Sequence, residues 1–207
     1  MNIFMLRSKP NNIERINHFL NQDEVGIGWY ETGDLTGASK EDIRDALKEL
    51  GYEGQSLLTN LGMVNAFVNT MKEGDIVLIR EGATVHIGEV KAYDWKTEPE
   101  YVEKRMGHIR PTKWLAHVPF KDLNAEMQSL LKNIRTICKY KGSLEQSELS
   151  KYITNEQQGK SESKKDNENE SLRLNTIEVL KDLMNNAENE SVRLEAAKEL
   201  LKHLNNE

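Results

Sequence analysis

The stretch from Gly74 to Trp95 constrains the fold of this chain more than any other. IVLIR and VHIGEV are short runs rich in β-branched residues, and the EGAT between them supplies a turn in which Gly82 can take a positive φ. A β-hairpin is therefore expected at the centre of the domain. Further strands are expected at Met1–Arg7, Val25–Tyr30, Gly107–Ala116 and Arg135–Tyr140. Between them the apolar spacing changes to that of helices. Ile13, Ile16, Phe19 and Leu20 predict a short helix over Asn12–Asn21, and Leu57, Leu61, Val64, Val68 and Met71 predict another over Ser56–Met71. Ser39 with Asp42 three residues on is an N-capping pattern; Ile43, Ala46, Leu47 and Leu50 form the stripe behind it, and Gly51 ends it. Five or six short strands with two or three helices make an α+β domain around a small curled sheet or barrel.

At 207 residues, 37% hydrophobic and 30% charged, the chain can bury a core of moderate size. It has no run of about eighteen apolar residues and no secretory leader pattern, so a soluble cytoplasmic protein with no membrane contact is expected. The single Cys138 cannot form an intramolecular disulfide, which fits a reducing compartment; it reads as a small buried apolar residue. The net charge of -6 argues against a protein that holds nucleic acid by bulk electrostatics. Its distribution is uneven, however: nine Lys and Arg lie between Lys104 and Lys141, opposed only by Asp122 and Glu126. That stretch can face phosphates or form a solvated basic surface.

Residues 155–169, NEQQGKSESKKDNEN, contain no apolar side chain and read as a disordered linker after a first domain of residues 1–154. An internal repeat follows, NESLRLNTIEVLKDLMNN and NESVRLEAAKELLKHLNN, at a period of twenty. The repeat predicts a helical hairpin over residues 170–207. Two such helices bury little apolar surface alone, so this segment is expected to oligomerise or to dock an effector protein.

Chemistry concentrates in a few strings. In GIGWYETGDL, Gly26 and Gly28 permit close backbone approach, Trp29 and Tyr30 offer π-faces, and Asp34 can accept from a base N–H. That is the minimal equipment for gripping an extruded base, although by spacing alone Trp29 also fits a core tryptophan. Asp75, Glu89 and Lys91 match the D-x(13)-E-x-K spacing of Mg²⁺-dependent nucleases, and they also fit a turn residue and two edge charges. No phosphate loop, nucleophile elbow or zinc-protease motif is found, and no catalytic, metal or cofactor residues are assigned.

GIGWYETGDLTG, the Gly74–Trp95 hairpin, HIRPTKWL (His108–Leu115) and RTICKY (Arg135–Tyr140) together resemble the EVE-like branch of the PUA-like superfamily. The form they resemble precedes the nuclease in Mrr-type, modification-dependent restriction enzymes. The resemblance implies a base pocket built from Trp29, Tyr30, Asp34 and Trp95. It also implies nucleic-acid backbone contacts from Lys104, Arg105, His108, Arg110 and Lys113. The residues after the linker are too few for a nuclease domain. The expectation is thus a non-enzymatic reader of nucleic acid, modified DNA above all, serving as a specificity or sensing subunit in defence or phage counter-defence. A protein-interaction or inhibitor module is the competing reading.

Overall fold

The central hairpin forms as its sequence predicts: β3 (Ile76–Glu81) runs antiparallel to β4 (Thr84–Val90), with Ile76 opposite Glu89 and Glu81 opposite Thr84. Gly82 takes the positive φ of the turn. The structure is a computed structural model describing residues 1–153, 180, 184, 189, 191–195, 197 and 198. The chain divides into two units, Met1–Thr154 and Asn155–Glu207. In the second, every described residue but 189 is helical. The linker expected over 155–169 and the pairing of helices expected over 170–207 lie outside the described residues. Among those described, no helix is long and apolar enough to cross a membrane.

The first unit is α+β, with a mixed sheet that curls into a half-barrel. Its other strands are β1 (Ile3–Leu6), β2 (Glu24–Ile27), β5 (Asp94–Trp95), β6 (His108–Pro119) and β7 (Ile137–Lys139). The order is β2-β6-β4-β3-β1-β7, with β5 also paired to β6. Only β1 and β3 are parallel. Their register is held by Asp75, whose carboxylate accepts from the Asn2 N–H at 2.6 Å and the Lys72 N–H at 2.9 Å. Between β4 and β6 the pairing slips, Ile87 lying opposite Ala116 and Gly88 opposite Trp114. A bulge of this kind bends and twists the strands, and here it helps curl the sheet.

Both faces of the central strands are covered, which is why IFML and IVLI read as unbroken apolar runs rather than alternating ones. Phe4, Leu6, Val77 and Ile79 point to one core, packed by α1 (Ile16–Asn21), α2 (Lys40–Glu49) and α3 (Gly54–Asn65). Ile3, Met5, Ile76 and Leu78 point to the other, beneath α5 (Ala125–Leu131), α6 (Leu144–Ser147) and α7 (Ser150–Ile153). A fourth helix in chain order, α4 (Pro99–Lys104), starts on Pro99 at its first turn, where proline lacks no needed N–H. The capping box expected for α2 is present: Ser39 accepts from the Asp42 N–H, and Asp42 accepts from the Ser39 N–H.

Three boundaries differ from expectation. The helix expected over Asn12–Asn21 begins only at Ile16, after a tight turn at Pro10–Asn12. The helix expected over Ser56–Met71 changes at Ala66 to a wider π-turn that runs to Thr70. The strand expected over Val25–Tyr30 stops at Ile27, because Trp29 is left-handed (φ 63, ψ 32) and turns the chain.

Candidate functional site

Six residues other than glycine have positive φ, and four of them line one cavity: Asn11, Asn12, Trp29 and Arg105. For a bulky residue such as Trp29 this region is strained, and strain of about 1–3 kcal/mol per residue persists only where the surroundings enforce it. The cavity has a volume of about 540 Å³ and is closed by Gly28, Glu31, Leu50 and Tyr52 along with the turn at Pro10–Asn12. That volume falls in the range of about 300–1,000 Å³ usual for small-molecule sites.

The local sequence explains how the cavity is held. A Cβ on Gly28 would stand 2.7 Å from Asn11 Oδ1, so only glycine lets the end of β2 approach this turn. Asn11 Nδ2 in turn donates to the Arg105 carbonyl at 3.0 Å, tying the turn to the C-terminus of α4. Arg105 ion-pairs with Glu31 at the rim. Trp29 and Tyr52 are half-buried, each resting on the core while lining the cavity. The Asn12 amide, exposed beside them, has no protein partner among the described residues.

The Trp29 turn is fixed from inside by His108, which is fully buried. His108 Nε2 lies 3.1 Å from the Trp29 carbonyl, which can only accept, so this nitrogen carries the hydrogen. Nδ1 then accepts from the Tyr93 hydroxyl at 2.8 Å, and the Tyr93 oxygen accepts from the Leu35 N–H at 3.4 Å. The Thr32 hydroxyl completes the arrangement by donating to the Trp29 carbonyl at 2.9 Å. Desolvation holds the His108 pKa down at about 4, so the ring stays neutral, and it pushes that of Tyr93 well above its usual range.

The residues expected to form one pocket and its phosphate contacts therefore separate. Trp29 and Arg105 line the cavity. Tyr30 and Trp95 stack on each other instead, ring centres 4.9 Å apart, and Trp95 also lies 4.8 Å from His108. Gly107 lies beneath Trp95, where a Cβ would come within 2.6 Å of its ring. Trp95 is thus a covered brace rather than an open cage wall. Asp34 closes a local turn, accepting from the Thr36 N–H and hydroxyl at 2.8 and 2.7 Å.

Among the expected backbone contacts, Arg110 and His108 require correction. Arg110 is 2% exposed and donates to the carbonyls of Phe67, Val68, Met71 and Lys91 at 2.8 to 3.1 Å. It closes the end of α3 and cannot reach a phosphate; burial draws its pKa down to about 10. Lys104 bridges Glu100 and His18, and Lys113 lies on β6 beside a separate hollow with Asp23 and Pro111. Lys9, Asn11, Asn12 and Tyr52 were not legible as site residues, because the turn that gathers them is made by distant contacts. The proline and paired asparagines of KPNN, typical turn formers, were the available signal.

The carboxylates of the nuclease spacing do not converge. Asp75 lies opposite Val90 and Glu89 opposite Ile76, so the two carboxylates point to opposite faces of the hairpin. Asp75 is filled by Asn2 and Lys72, and Glu89 pairs with Lys91.

A family model matches residues 4–141, from β1 to just past β7. The chain belongs to the family described as Domain of unknown function (DUF8426). No curated protein matches it. The DUF8426 region takes in the whole sheet but for its first residue, together with every residue of the Trp29 cavity.

Proposed function

We propose that this DUF8426 protein is a nucleic-acid reader that receives an extruded base, modified bases above all, in the cavity beside Trp29. The observation that carries the reading is the convergence of four left-handed residues on a single aromatic-lined cavity. Trp29 and Tyr52 offer flat faces to stack a base, and the Asn12 amide can donate to or accept from its edge. Arg105 and Lys9 stand at the rim, where the strand carrying that base would run. The curled sheet, with GIGW at the end of one strand and HIRP opening another, supports the EVE-like, PUA-superfamily resemblance. In this reading the chain has no cutting activity of its own. It serves as a specificity or sensing subunit in defence or counter-defence, and residues 170–207 bring together copies of the chain or an effector.

The test is binding of matched oligonucleotides with and without modified bases to the wild-type chain and Trp29→Ala. Loss of one stacking face should weaken binding of the preferred modified DNA roughly ten- to hundredfold while leaving plain DNA nearly unchanged. An equal loss for both would remove Trp29 from the reading site.

A further inference from the structure

A second hollow, of about 650 Å³, lies between α3, α5 and β7, and none of its lining belongs to the Trp29 cavity. Its floor is the free edge of the sheet, for β7 is last in the strand order and pairs only with β1. The Tyr140 N–H donates to the Ile3 carbonyl at 2.8 Å, and the Arg7 N–H to the Thr136 carbonyl at 2.9 Å. In an antiparallel ladder, alternate residues face the partner strand. The N–H and C=O of Ile137 and Lys139 therefore turn outward, into the slot.

One wall is α3, with Leu58 57% exposed and Met63 beside it; the other is α5, with Ser129 and Leu130. Gly62 sits in the α3 wall, and a Cβ built on it meets nothing within 4 Å. Arg135, Lys139 and Lys141 add three cations, none of them ion-paired with a carboxylate among the described residues. Glu126, the acid in the lining, is taken by the Tyr140 hydroxyl. The hollow continues past Tyr140 toward Met1 and Gly142.

From this geometry we propose that the slot binds an extended acidic segment of a partner protein, added to β7 as an eighth strand. An outward ladder of donors and acceptors matches a peptide backbone, and walls on both sides take its alternating side chains. Nucleic acid presents no such ladder. A second copy of the chain would set Lys139 and Lys141 against the same cations, which is how edge lysines deter self-pairing. Charge therefore selects an acidic occupant.

The probe is a fluorescein-labelled peptide in which Glu and Val alternate, titrated into the full chain by anisotropy and by ¹⁵N NMR. Saturable binding that shifts the Ile137 and Lys139 amide signals is expected. The same peptide N-methylated at alternate residues, or carrying Lys for Glu, should bind at least about tenfold more weakly. Gly62→Trp, which fills the slot, and Lys139→Pro, which removes one outward N–H, should each weaken binding by a similar factor. Both variants should keep the wild-type unfolding midpoint; if Lys139→Pro fails to fold, Gly62→Trp and the N-methylated peptide decide. No saturable binding, equal binding of the N-methylated form, or an undiminished Gly62→Trp overturns the proposal. So does an oligothymidylate that binds the slot in place of the peptide. The Trp29→Ala variant should bind the peptide normally, which separates this site from the base reading.

Discussion

His108 shows how one buried side chain can govern a site it does not line. Its neutral ring holds the Trp29 carbonyl through Nε2–H and receives the Tyr93 hydroxyl at Nδ1. Protonation would put a hydrogen on Nδ1 and set two donors against each other. The unfolded chain binds this proton at about pH 6.5 and the folded chain only at about 4. Stability from this residue is therefore full above pH 6.5 and lost as pH falls toward 4, on the order of 3 kcal/mol in all. Urea unfolding between pH 7 and 4 should show that loss, and His108→Gln should flatten it while lowering stability at pH 7. A slope unchanged in the variant would assign the acid sensitivity elsewhere. In the sequence, His108 and Arg110 look alike as polar residues at the start of a strand. Burial made both of them structural.

At the scale of elements, Arg110 joins β6 to the end of α3. A helix leaves its last carbonyls without partners, and the π-turn at Ala66–Thr70 adds to their disorder of direction. The guanidinium fork satisfies three of them and the Lys91 carbonyl together. Arg110→Met should strand these buried acceptors and cost about 3 kcal/mol or more, read as a lower urea midpoint. Arg110→Lys should recover only part, since an ammonium cannot span four acceptors in a plane. The hairpin of β3 and β4 and the Ser39 cap of α2 were legible because their signals lie within a few residues. The left-handed Trp29 and the late start of α1 were not. Gly28 and Asn11 are brought together by the fold, and that contact decides where the strand ends.

For the whole molecule, charge sets how nucleic acid can be held. With a net charge of -6 and with Lys104 and Arg110 occupied, few cations remain near the cavity to displace counterions. Two rim contacts, Lys9 and Arg105, imply a log–log salt dependence of roughly -1.5 to -2, shallow for a DNA-binding protein. Arg105→Ala should reduce the slope by nearly one, and Lys104→Ala should leave it unchanged; anisotropy between low and moderate salt measures both. A steep wild-type slope would move the interface to a different surface. The sequence by itself determined the α+β class, the central hairpin, the cap of α2 and the apolar faces, since these follow from periodicity and local turn chemistry. Only the tertiary structure decided which aromatics are open and which arginine is buried. Those outcomes depend on contacts such as Gly28 with Asn11, Gly107 with Trp95, and Arg110 with the end of α3, across separations that no local pattern encodes.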